Sequence, residues 1–316
     1  MRNLYRGLTV CLLMLSATAL AQQDLWVHVN GNDSGNDCTF VGTPCQTVNH
    51  AIGQSSNGDT INMGSGEFTE TVSTGNRVLT FRGQSAGPGG TILQAHEDGW
   101  EQATNRVLTV GTGANITVEN LWIRHGNSDN SGGGIFVIDS ELTMIDSRVS
   151  DNRAIDSPGG GFFLISGSTL TLENTVVRDN QADNRGGGID LVGSSVVTVS
   201  KGSEIVDNQS GDIGGGIFAG GGTTLTISES VISGNESGDN GGGISAGNPS
   251  GNAPSEFQIV DSVISSNTSG SDGGGIWSRG DLEIQRTEIA DNVAEGLGGG
   301  ITMAFSSQAR INRSTI

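Results

Sequence analysis

Seven copies of one short phrase constrain this chain more than any other feature: an asparagine, a polar stretch, a glycine triplet and an apolar residue, recurring about every 27 residues from Asn127 onward. The triplets begin at Gly132, Gly159, Gly186, Gly214, Gly241, Gly273 and Gly298, at spacings of 27, 27, 28, 27, 32 and 25. Each is followed by an apolar residue, in turn Ile135, Phe162, Ile189, Ile217, Ile244, Ile276 and Ile301. Such a period is too long for one strand and too short for a domain, so each copy is one turn of a stacked array.

The asparagines are Asn127, Asn152, Asn180, Asn208, Asn235, Asn267 and Asn292, and in the last five copies five residues separate them from the triplet. A constant loop implies a fixed bend. Three residues upstream of the asparagine stand Val149, Val177, Ile205, Ile232, Ile264 and Ile289, and five upstream Ser147, Thr175, Ser203, Ser230, Ser262 and Thr287. Positions two apart on a strand share a face, so both columns are expected to point inward. Runs such as Leu170-Thr171-Leu172 add another strand. Three short strands and three turns per period predict one coil of a parallel β-helix.

Equivalent residues of neighbouring coils lie about 4.8 Å apart in such a stack. Asn152, Asn180, Asn208, Asn235, Asn267 and Asn292 are then expected to form a ladder whose buried amides bond from coil to coil. Leaving them unpaired would cost about 1–3 kcal/mol each. A structural role fits better than a catalytic one, because catalysis needs one special copy. The glycines are expected to supply positive φ or close approach of backbones. Phosphate binding has little support, since no triplet is followed by Lys-Ser or Lys-Thr and Lys201 is the only lysine.

The N-terminus reads as a secretory signal: Arg2 and Arg6, an apolar run over 8–20, and Ala19-Leu20-Ala21 as the cleavage site. Cys11 lies inside that run, which argues against a lipid anchor, and nothing later has the length of a membrane helix. Removing 1–21 leaves 13 cationic against 34 acidic side chains, a formal charge of −21. That charge disfavours nucleic acid and anionic lipid and favours cations. Cys38 and Cys45 are the only cysteines after the signal; in an oxidising compartment a small disulfide loop is favoured over a metal site.

Residues 43–56, with Pro44 near the start and Val48, Ala51 and Ile52 on one side, read as an amphipathic helix capping the open end of the solenoid, with the first strand beginning at Thr60. The expected organisation is a signal peptide at 1–21, an N-terminal segment with the cysteine loop and capping helix at 22–57, irregular first coils at 58–126, and regular coils at 127–316. Ser314-Thr315-Ile316 repeats Thr287-Glu288-Ile289 in register, so further coils and any anchoring domain are expected beyond residue 316.

The Gly-Gly-Gly-Ile and Ile-x-x-Asn pair resembles the Gly-Gly-Ala-Ile and Phe-x-x-Asn repeats of chlamydial polymorphic outer membrane proteins over 127–316. The resemblance implies a surface-displayed β-helix used in adhesion. Asp37-Cys38, Pro44-Cys45-Gln46-Thr47, Gly58-Asp59-Thr60-Ile61 and Glu67-Phe68-Thr69-Glu70 are similar to the opening of bacterial secreted right-handed β-helix proteins of the pectate-lyase-like superfamily. The expected fold class is therefore all-β, a right-handed single-stranded parallel β-helix with a short N-terminal helical cap.

Two functions are weighed. The first is an exported, non-catalytic surface or secreted protein, an adhesin or envelope component, with an extracellular glycan or a surface protein as partner. The second is a polysaccharide lyase or hydrolase, which that superfamily also contains. For it the candidate cations Arg124, His125, Arg153, Arg178 and Arg185 lie near bends with Asp129, Asp156 and Asp183, though exposed arginines among many acids usually only solvate and pair weakly. Calcium is a side expectation at Asp151, Asp179 and Asp207 on consecutive coils and at Asp183, Asp212, Asp239 and Asp272 in the loops, against the simpler reading that these carboxylates stay hydrated. His28, His50 and His96 give no metal spacing.

Overall fold

The computed structural model describes residues 22–247, 256–304 and 307–316. The expected signal at 1–21 lies outside the described residues. Every strand pairing is parallel, and four sheets run along one axis. The first has eleven strands, from Asp24–Val27 to Ala309–Asn312; the second nine, from Gly66–Thr69 to Glu288–Ala290. The third has seven two-residue strands, from Asn127–Ser128 to Val293–Ala294; the fourth nine, from Val72–Ser73 to Ile301–Met303. The solenoid is right-handed, as parallel crossovers almost always are.

A regular coil runs Glu141–Ile145, Arg148–Ser150, Arg153–Ala154, Phe162–Ile165. Each regular coil thus has four strands where three were expected. The additional one follows the asparagine inside the supposed loop, and a strand of two residues has no periodicity to read. Inward positions stack like on like: Leu142 opposes Leu170, Val149 opposes Val177, and Ile135 opposes Phe162, all fully buried or nearly so. The serine and threonine column also points inward, where Thr175 N–H donates to Ser203 Oγ at 3.1 Å and Ser230 N–H to Ser262 Oγ at 3.2 Å.

The helix is shorter than expected, Val48–Gln54. Thr47 caps it by accepting from His50 N–H at 3.1 Å, and the Glu70 carboxylate accepts the Val48 and Asn49 N–H groups at 2.8 and 3.1 Å. Residues 43–46 belong instead to the loop closed by the Cys38–Cys45 disulfide. Strand Asp24–Val27 precedes the helix and pairs with Thr60–Met63, so the solenoid begins before residue 60. Within the irregular first coils, Asn115–Glu119 and Trp122–Arg124 are separate strands divided by Asn120 at φ 55°.

Candidate functional site

The bend after the second sheet holds most of the predicted site residues. Its column His125, Asp151, Asp179, Asp207, Gly234, Ser266 and Asp291 is left-handed at every position, with φ between 53° and 67°. Aspartate, asparagine and glycine tolerate that conformation best, so backbone geometry alone accounts for aspartates here. The next column is the amide ladder. Asn152 Nδ2 donates to Asn180 Oδ1 at 2.9 Å, and the same bond links Asn180 to Asn208, Asn208 to Asn235, Asn235 to Asn267 and Asn267 to Asn292 at 2.9–3.0 Å. Asn127 is outside it: Gly126 fills the ladder position, donating its N–H to Asn152 Oδ1 at 2.8 Å, and Asn127 pairs with Arg153 on the third sheet.

The glycine triplets divide the two expected tasks. The first glycine of each has φ between 64° and 78°. The second and third have no room for a side chain: a Cβ on Gly187 would lie 2.4 Å from two backbone oxygens, those of Gln209 and Gly215.

The calcium candidates do not converge on one point. Asp151 accepts from Ser150 Oγ at 2.6 Å; Asp179 and Asp207 share Arg178, at 2.6 and 3.2 Å. Asp183 pairs with Arg153 at 2.9 Å, and Asp272 accepts the Leu297 N–H at 2.6 Å. Asp212 and Asp239 occupy one column; burial, and then the Asp239 charge, raise the Asp212 pKa. None of the seven joins a close trio of ligand atoms among the described residues. The one such trio is Cys38, Cys45 and His50, whose two sulfurs are joined to each other.

Of the lyase candidates Arg153, Asp156 and Asp183 meet, Asp183 accepting from both of the others, while the rest have separate partners. Arg124 binds Glu67 and Gln94 Oε1 at 2.9 and 2.8 Å, Arg153 lies over the Trp100 ring at 4.8 Å, and Arg185 pairs with Asp190 at 2.7 Å. His125 Nδ1 is 3.0 Å from the His96 carbonyl, and burial lowers its pKa. Asp129 accepts from its neighbour Asn130, and Asp156 donates its N–H to Asp183.

Two features escape a reading from sequence. On the outer face of the second sheet the Trp122 ring meets two guanidinium groups, Arg124 at 4.6 Å and Arg148 at 4.4 Å. Trp122 Nε1 and Arg148 Nε both donate to Ser150 Oγ, at 2.7 and 3.1 Å. Among the described residues Arg148 has no ion pair within 4 Å, and its burial lowers its pKa. On the outer face of the fourth sheet Asp190 stands between Phe163 and Phe218 in register. It is fully buried, its Oδ1 has no hydrogen-bond partner, and burial pushes its pKa up to about 7. A signal for it existed: the residue after the apolar one is Phe136, Phe163, Asp190, Phe218, Ser245, Trp277 and Thr302 in successive copies, with one acid among them.

Residues 105–259 match the family described as the right handed beta helix region, and residues 261–279 match the Chlamydia polymorphic membrane protein repeat. No curated protein matches the chain in sequence. Among solved structures, pectate lyase Pel9A has 14% identity and a TM-score of 0.46, with 90% of this chain and 79% of that chain covered. Pectin methylesterase from carrot has 13% identity and a TM-score of 0.41, with 92% and 90% covered. GH136 lacto-N-biosidase from Eubacterium ramulus has 11% identity and a TM-score of 0.39, with 93% and 68% covered. With unbroken parallel ladders and these two family matches, the chain is a right-handed parallel β-helix protein carrying repeats of the chlamydial polymorphic membrane protein type.

Proposed function

We propose that this chain is an exported, non-catalytic rod of the bacterial cell surface or surroundings, acting as an adhesin or envelope component. The observation that carries the reading is the match of 261–279 to a membrane-protein repeat within an unbroken stack of coils. A rod of equivalent coils offers a long surface for contact with glycans or surface proteins. The signal read at 1–21 and the Cys38–Cys45 disulfide agree with export. The formal charge of −21 after removal of the signal weighs against nucleic acid as a partner.

Purified chain incubated with acidic and neutral polysaccharides, followed by product absorbance and reducing ends, tests this directly. Retention on immobilised glycan or envelope protein without turnover is expected; robust depolymerisation overturns the reading. The alternative, a polysaccharide lyase, draws on Arg148, a half-buried guanidinium beside Trp122 with no ion pair among the described residues. Turnover abolished by Arg148→Ala would establish it.

A further inference from the structure

The N-terminal end carries an open, solvent-exposed depression of about 570 Å³ that none of the repeat columns uses. Asn30, Asn32, Ser34, Asn36, Asp37 and Thr43 line it, along with three glycines and Pro44. Its volume is in the range of small-molecule sites, while its lining is far more polar than a usual one. The walls are held from several directions. The Cys38–Cys45 disulfide closes one side, Asn36 Nδ2 donates to the Asn32 and Thr43 carbonyls at 2.8 and 2.9 Å, and the Asn36 carbonyl lies 2.8 Å from His50 Nε2. The Asn32 N–H donates to the Pro44 carbonyl at 3.0 Å, and Asp33 accepts from the Gln46 and Thr47 N–H groups at 2.7 and 3.1 Å.

Against this fixed frame several lining groups remain unused. Among the described residues the Asn30 amide, the Asn32 amide nitrogen and the Ser34 and Thr43 hydroxyls, all on exposed residues, have no protein hydrogen-bond partner. Together they present both donors and acceptors from a braced loop. The one charged lining group is Asp37, whose pKa is lowered by the Thr39 hydroxyl and N–H, so it stays ionised. A cavity holding one carboxylate, in a strongly acidic chain, repels anions. At its rim the Phe40 side chain is 63% exposed, and its ring lies over Gly42, where an added Cβ would come within 2.6 Å of Cε1. An aromatic face beside fixed amides and hydroxyls matches a sugar, which has an apolar C–H face and hydroxyls at its edge.

We propose that this pocket, with Phe40 as its stacking platform, binds an uncharged saccharide. The proposal deepens the surface-protein reading and rests on it for its biological sense. The disulfide and the Asn36 bonds brace the loop backbone, so association has to order side chains but not the loop itself.

The test is calorimetric titration of the purified chain with glucose, galactose and N-acetylglucosamine, and with galacturonate as the charged counterpart. At least one neutral sugar is expected to bind with a Kd of about 10 mM or tighter, and galacturonate about tenfold more weakly. Phe40→Ala and Asn30→Ala are each expected to weaken binding about tenfold with an unchanged melting temperature, since both side chains lie in exposed loops. The proposal is overturned if no neutral sugar binds at about 100 mM, if galacturonate binds as well, or if both variants bind like the parent. Intact retention on immobilised glycan by a chain that fails this titration discards the pocket alone, whereas depolymerising activity discards the surface-protein reading alone.

Discussion

Asn208 Oδ1 receives two bonds from one residue of the preceding coil, the Asn180 N–H at 3.1 Å and the Asn180 side-chain amide at 3.0 Å. The Asn208 amide passes the pattern on, donating to Asn235 Oδ1 at 3.0 Å and to the Val177 carbonyl at 2.9 Å. One side chain therefore satisfies buried groups on three coils. Asn208→Ala strands several of them at about 1–3 kcal/mol apiece, so a loss of about 3 kcal/mol or more is expected. Because stability in a stack is a sum over neighbours, the loss is local. Hydrogen exchange should rise in coils around 177–237 while the N-terminal coils keep their protection. Uniform exchange along the rod would contradict this.

Glycines at superficially similar turns should respond in opposite ways. A Cβ at Gly187 meets two backbone oxygens of the next coil at 2.4 Å, and neither can yield without unstacking. Gly167, at φ +77°, has nothing within 4 Å of its virtual Cβ. Gly187→Ala is expected to cost more than about 3 kcal/mol or to prevent a protease-resistant rod from forming, whereas Gly167→Asn stays within about 1 kcal/mol of the parent. Thermal melts followed by circular dichroism compare the two; equal melting temperatures would remove the close-approach argument.

The period and the glycine and asparagine columns made the stack readable before any coordinates, because each requirement recurs once per coil and so is written seven times. Features that occur once had no such redundancy. Trp122 and Arg148 are directly opposed across the second sheet although 26 residues apart in sequence, and only the exact register puts them together. Pro44 resembled the first residue of a helix, yet the disulfide draws it into the preceding loop and leaves Thr47 to cap. Asn127 carried the right letter one position off the ladder, where Gly126 stands, and a shift of one residue turns a side chain to the other face.

Backbone conformation and cation binding make different demands of the Asp151, Asp179 and Asp207 column. If the left-handed φ of 55° selects Asp207, then Asp207→Gly and Asp207→Asn keep stability within about 0.5 kcal/mol, while Asp207→Val loses about 1–2 kcal/mol. Chelator should leave the melting temperature where it was. A fall on chelation, restored by calcium and absent in Asp207→Asn, would replace the conformational account with a bound ion.

Asp190 gives the rod a pH dependence opposite to that of an ordinary surface carboxylate. Its Oδ2 accepts from Arg185 Nε at 2.7 Å, but Arg185 is 28% exposed, so water screens the partner while the carboxylate itself is fully buried. Burial prevails over the arginine's attraction, and the folded pKa is raised from 3.8 to about 7. With the folded value above the unfolded one, the folded chain holds a proton that the unfolded chain has released, so this group's stabilisation is complete below about pH 4 and is lost as pH rises toward 7. Urea midpoints between pH 4 and 8 should therefore contain a falling component that Asp190→Asn removes, because the amide still accepts from Arg185 and carries no charge to desolvate. The variant is expected to gain on the parent as pH rises from 5 to 8. Parallel pH profiles for the two proteins would mean that Arg185 compensates the buried charge after all.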